Sequence, residues 1–320
     1  MTKDWYLLPK RFCAYLGIFK QSLTTLILKL NNYNYKNMSE ENKLIRQQLF
    51  KAIETDQIKL PTLPEVALKI REAVEKDNMS ALGIAELLSQ DASLSARLLQ
   101  LANSPLYRAR NEIDSLQMAI TRLGVRIVKD LVVMLAIKQA FKAQNKAIEK
   151  QFKAIWQTSV DAAAVCRVLA KTQNGLDMEH AMLGGLIHNI GALPIIELAD
   201  RQPSLFNDTQ NIKSIIADIQ GEVGEKILSF WNFPPTLIDV AGQWSNFNRC
   251  HDSNADYVDI VQAAILYSQH SSMKINHTAH PDNWSEIPAI NKLGLDPNAH
   301  ELDESMQNQL NEIRISLMQA

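Results

Sequence analysis

From Leu60 onward the chain repeats a single pattern. Apolar residues recur three and four apart, segment after segment, and each segment is bounded by a residue that caps or breaks a helix. Thr62 and Glu65 have capping-box spacing around Pro64, and Val66, Ile70, Ala73 and Val74 follow as a stripe of helical period. Ser80 can cap a helix bearing Ile84, Leu87 and Leu88. Asp91 or Ser93 can start the next, with Leu94, Leu98 and Leu101 on one face, and Ser104-Pro105 stops it. Ser115 caps a further helix that Gly124 is placed to end, and the strongly apolar run Val125 to Phe141 reads as a central helix. Helices are then expected over 150–171, 177–190, 192–199, 210–220, 222–231, 234–244 and about 256–270. Alternating apolar and polar runs are missing, as are the Asn-Gly and Asp-Gly pairs of tight hairpins. A chain of this kind can bury its stripes only helix against helix, so the expected fold is all-α.

The segment 271–300, rich in His, Asn, Pro and Asp, reads as an irregular connection. Met306, Leu310, Ile313 and Leu317 then mark an amphipathic helix, so 271–320 is a linker followed by that helix. At the other end, charge changes sign. Residues 1–37 carry six Lys and Arg against Asp4 alone, a net of +5, whereas the rest of the chain has a net of −7. This basic leader also carries Trp5, Tyr6, Phe12, Tyr15 and Phe19. Two readings of it stay open: an extension that binds a membrane surface or a partner, and a dispensable stretch upstream of a functional start at Met38. Ser39 can cap an acidic helix beginning after Met38, within an N-terminal helical segment 38–59.

Several chemical motifs fail on inspection. Gly221 to Lys226 lacks the spacing and closing Ser/Thr of a phosphate loop. Asp252, Asn254 and Asp256 imitate a calcium loop, but Tyr257 replaces its glycine and Ala263 its closing glutamate. His270, His277 and His280 cluster without a fourth zinc ligand, and Cys13, Cys166 and Cys250 form no CxxC. Those isolated cysteines fit a reducing cytosol, and the absence of a long uncharged apolar run argues against a membrane span. The helix pair across 81–103 has the outline of a DNA reader, yet Ser93, Ser95, Arg97, Gln100 and Asn103 offer one positive charge, so no nucleic acid is expected. The informative stretch is Gly184-Gly185-Leu186-Ile187-His188-Asn189-Ile190-Gly191: a helix ends in a His-Asn pair and a glycine follows.

From about Leu60 to Tyr267 the chain resembles the HDOD family, the HD-related output domains of bacterial signalling proteins. The resemblance rests on Leu60-Pro-Thr-Leu-Pro64, Asp91 to Arg97, Leu101-Ala-Asn-Ser104, Ala119 to Gly124, Trp156 to Ser159, Leu186 to Gly191, Glu222-Val-Gly224 and Trp231-Asn-Phe-Pro234, in that order. It implies an HD-domain-like helical bundle over 60–270, with an N-terminal helical subdomain at 60–141 and an HD-like part at 145–270. Catalytic HD phosphohydrolases hold metal through an early histidine, a His-Asp pair, later histidines and a late aspartate. Carried onto this chain, those positions fall at or near Thr158, His188 with Asn189, Gln220, Gln243 and Ile265. Only His188 keeps the family's ligand, and one imidazole cannot fix a catalytic metal when even open zinc sites keep three protein ligands. The resemblance therefore implies a non-catalytic regulatory protein in signal transduction, with no cofactor, acting on a signalling protein partner. The competing expectations are a metal-dependent phosphohydrolase with an atypical site and a DNA-binding regulator. Arg108, Arg110, Arg122, Arg126 and Lys129 form a candidate contact strip near the subdomain junction; an ordinary solvated face would show the same charges.

Overall fold

The computed structural model describes residues 38–55, 57–75, 79–107, 112–141, 146–206, 209–251, 254–270, 283–299 and 301–319. The leader 1–37, Cys13 within it, Arg108, Arg110, Asp252, His277 and His280 lie outside the described residues, as does the side chain of His270. The described residues contain helices and no strand. The helices are α1 (Glu40–Glu54), α2 (Glu65–Glu75), α3 (Ala81–Ser89), α4 (Ala92–Ala102), α5 (Leu116–Leu123), α6 (Val125–Ala140) and α7 (Lys146–Ala170). They continue with α8 (Met178–Ile187), α9 (Ala192–Arg201), α10 (Thr209–Phe230), α11 (Pro235–Gln243), α12 (Tyr257–His270), α13 (Pro288–Lys292) and α14 (Glu304–Gln319).

The chain divides into two compact units at Gln48 and Leu49, within α1. In the first unit the start of α1 is capped by Ser39, whose hydroxyl accepts from the Asn42 amide at 3.1 Å. The larger unit holds everything from Leu49 onward. Within it α2 to α6 pack on one another, with α2 and α4 laid on α6, and α7 to α12 form a second group in which α7 and α8 make the most intimate pair. Helix α6 is buried nearly all round, from Val128 and Asp130 through Ile137, and it joins the groups by packing on α8.

The caps follow the sequence. Ser80, Asp91 and Ser115 each accept a backbone N–H three residues ahead. Gly124, at φ 86°, ends α5 and begins α6 in one residue, a conformation glycine adopts without a Cβ clash. The structure departs from expectation at α10. One helix runs through 209–230 where two were read on either side of Gly221. Gly221 does not break the helix; it lets α11 approach, because a Cβ there would lie 2.9 Å from the Gly242 carbonyl oxygen. Likewise α7 begins at Lys146 and α8 ends at Ile187, not at 150 and 190.

The family motifs far apart in sequence meet in space. The Trp231 indole donates to the Pro61 carbonyl at 2.9 Å, and the Arg71 guanidinium lies 4.9 Å from the Phe233 ring centroid. Asn103 exchanges two hydrogen bonds of 2.8 Å with the backbone of Ile113, closing the loop after α4. The expectation that no segment is apolar enough to span a membrane needs correction. Met178–Arg201 meets the length and hydropathy such a span requires. Its most apolar stretch is 94% buried inside the protein, and the turn at His188 to Gly191 interrupts it, as suits the centre of a helical core.

Candidate functional site

The His-Asn turn sits where α8 stops and α9 starts, and three elements hold it. The first is the α7–α8 crossing, where the backbones nearly touch: a Cβ on Gly185 would lie 2.5 Å from the Ala163 Cα. The second is α10: a Cβ on Gly191 would lie 1.9 Å from the Gln220 carbonyl oxygen, so the turn can close against α10 only through glycine. The third is Trp244, just past α11, whose ring stands edge-on to His188 with centroids 4.9 Å apart.

His188 is 2% exposed. Its Nδ1 lies 2.6 Å from the Gly185 carbonyl oxygen, which can only accept, so Nδ1 carries the proton and Nε2 keeps a lone pair. Burial pulls the imidazole pKa down to about 4, against the upward pull of the Gly185 carbonyl, so the ring is neutral at pH 7. Asn189 is turned to α7, where its Oδ1 accepts from the buried Ser159 hydroxyl at 2.7 Å. That hydroxyl also lies 3.0 Å from the Ile155 carbonyl of its own helix, so its single proton is shared between two acceptors. Thr158, the expected early ligand position, bonds back to the Ala154 carbonyl of its own helix at 3.1 Å. Gln220 and Ile265 are buried, and Gln243 accepts from Arg249 Nε at 3.0 Å.

Two acidic groupings lie on the elements around this centre. His251, Asp256 and Asp259 bring ligand-type atoms within 4.8 Å of one another. The Arg249 guanidinium already binds Asp256 through both oxygens and reaches Asp259 at 3.4 Å. His251 Nε2 lies 3.1 Å from Asp259, and Asp256 accepts the Val258 and Asp259 amides at the start of α12. Burial pushes the Asp256 carboxyl up, but the Arg249 and Asp259 hydrogen bonds outweigh it and hold the group below its ordinary value. The Arg249 guanidinium already bridges the two carboxylates, and the grouping serves as the cap of α12. On α10, burial and then the charges of Asp239 and Glu222 push Glu225 up to about 7. Its carboxyl occupies the room left by Gly242, where a Cβ would lie 1.9 Å from Glu225 Oε1.

The contact strip is only partly described. Arg122 and Arg126 are exposed, whereas Lys129 is mostly covered and pairs with buried Asp130 at 3.1 Å. Beside it, buried Glu179 on α8 takes Arg167 at 2.9 Å and the Tyr107 hydroxyl at 3.3 Å, a polar tie between the two helix groups. The polar face read for DNA along α4 is used internally, with Ser95 donating to the Leu88 carbonyl and Asn103 engaged with Ile113. Residue pattern did not flag Trp244, Arg249, Asp259 or Glu225, and Ser159 entered only as the last residue of the Trp156 to Ser159 motif.

The HDOD domain model matches residues 60–246, more than half of the chain, and the chain belongs to that family. An uncharacterized protein of Treponema pallidum (strain Nichols) is 24% identical over 250 residues, 71% of this chain and 48% of that protein, so the chain spans about half the length of the curated relative it matches. A crystal structure from Shewanella amazonensis SB2B, named "Putative metal-dependent phosphohydrolase", is 29% identical at a TM-score of 0.73, covering 88% of this chain and all of its own. Another, from Marinobacter aquaeolei VT8 and named "Putative signal transduction protein", is 22% identical at a TM-score of 0.61, covering 88% of this chain and 65% of its own.

Proposed function

We propose that this chain is a non-catalytic regulatory module that works by binding a signalling protein in the cytoplasm. The observation that carries the reading is the use to which the His-Asn turn is put. Asn189 spends its amide oxygen on Ser159, Thr158 bonds within its own helix, and Gln220, Gln243 and Ile265 complete a set without a carboxylate. His188 Nε2 is the one atom of the set with the character of a transition-metal ligand. A hydrolytic metal needs several fixed ligands and an open position for the water whose pKa it lowers, and this donor set does not fit such a metal. The resemblance to an HD-related output domain and the name of the Marinobacter structure support the signalling side of the reading.

The second reading, a metal-dependent phosphohydrolase, is favoured by the name and 29% identity of the Shewanella protein. The two separate in one experiment. The purified chain, incubated in turn with manganese, iron and zinc, is expected to retain substoichiometric metal after desalting and to leave bis(p-nitrophenyl) phosphate intact. Stoichiometric metal together with turnover above the buffer rate would replace the first reading by the second.

A further inference from the structure

The last helix grips its neighbour unevenly. From Leu310 onward α14 is held down: Leu310, Ile313 and Leu317 are buried, Arg314 Nε meets Asp161 of α7 at 2.7 Å, and Lys138 of α6 donates to the Met318 carbonyl at 3.0 Å. Before Leu310 only Met306 and Gln309 are partly covered, and a cleft of about 650 Å³ opens between this side of α14 and α7, with Arg167 and Lys171 on one wall and Glu304 and Glu312 on the other. The hydrogen bond recorded across that cleft, Lys171 to Gln309, is 3.5 Å long. The covered groove has a definite chemistry. Asp161 offers a partly desolvated carboxylate that calls for a cation, and Lys138 offers a donor to the carbonyls at a helix C-terminus, so the groove fixes both the charge and the direction of a helix lying in it.

We propose that α14 is a displaceable strap, and that the groove beneath it on α6 and α7 is the docking site for an amphipathic helix of the partner protein. That helix carries apolar residues at the spacing of Leu310, Ile313 and Leu317, and a Lys or Arg opposite Asp161. The inference rests on the protein-binding reading above and supplies the partner's class. Docking in this way is the helix-in-groove mode, in which apolar residues anchor and a charged residue sets register. The strap is an intramolecular competitor: the partner helix binds in proportion to the fraction of molecules in which α14 is released.

The test uses the full chain. Arg314→Glu places two carboxylates together at Asp161 and is expected to speed amide exchange across 304–319 by about tenfold or more, with exchange in 178–187 unchanged. A fluorescent synthetic peptide of residues 301–320 is expected to bind Arg314→Glu at least about tenfold more tightly than the parent chain. The double variant Asp161→Arg with Arg314→Glu restores the pair in reverse, and should return slow exchange and refuse the peptide. Three results overturn the proposal: α14 exchanging in step with α8 in the parent, Arg314→Glu melting the whole chain, or an opened chain that ignores the peptide or pairs with itself instead. Metal-dependent turnover by the parent chain would remove the non-catalytic reading while leaving the exchange pattern of the strap intact, so the two failures are distinguishable.

Discussion

Helix α7 has two sides that are built on different terms. Toward α8 it meets backbone with backbone, at Gly185 over Ala163, and nothing larger than hydrogen fits between them. Toward α14 it is met by three apolar side chains, one ion pair and a cleft of about 650 Å³. The first contact tolerates no change in volume because a packed interior has nowhere to put it. The second is held by interactions that can be released one at a time. A single helix thus divides the molecule into a fixed scaffold around His188 and an adjustable outer layer.

The sharpest way to break this comparison is Gly185→Ala. The added methyl would overlap the Ala163 backbone, and overpacking of this kind is expected to cost about 3 kcal/mol or more, read as a fall in urea midpoint. A variant as stable as the parent would show that the α7–α8 side yields as readily as the α14 side. Acid probes the same side. The folded pKa of His188, about 4, lies below its unfolded value of 6.5, so the unfolded chain binds the proton first. Its contribution is present above pH 6.5 and is lost as pH falls toward 4, on the order of 2–3 kcal/mol in chemical denaturation and absent from His188→Gln.

A smaller effect of opposite slope is expected at the α10–α11 crossing, where a carboxyl rather than backbone fills the gap beside a glycine. The folded pKa of Glu225, about 7, exceeds its unfolded value of about 4.5, so its contribution is present below pH 4.5 and lost as pH rises through 7. Glu225→Gln should therefore raise stability at pH 8 by about 1–2 kcal/mol, allowing for solvent screening of a partly exposed group, and change little at pH 4. Equal gains at both pH values would show that the carboxyl is not confined there.

Much of the scaffold was legible in the chain because its signals are local. Ser39, Ser80, Asp91 and Ser115 cap helices whose starts need only the next three residues to be read. Gly221 was misread because its reason is tertiary: the residue that looks like a break in one helix is the clearance for another. The site divided the same way. His188 and Asn189 announce themselves beside Gly191, but Ser159 and Trp244 become their neighbours only through the α7–α8 and α11 packing. The strip at 108–129 was drawn from charge alone, and charge does not reveal that Lys129 faces a buried aspartate.

The indole bond from Trp231 to Pro61 has a consequence in time. It joins residues 170 positions apart, and the Leu60 to Pro64 segment cannot reach its final place until α10 has been made. At ribosomal speeds of about 5–20 residues per second, the Leu60 to Pro64 segment waits roughly ten to thirty seconds for that partner. During that interval α2 and α4 already have α3, α5 and α6 to pack on, and the Leu60 to Pro64 segment is the part left without its cover. The nascent chain is then most exposed to holdases and to its own copies, and a slowed or truncated synthesis before Trp231 would leave the early group without its closing bond.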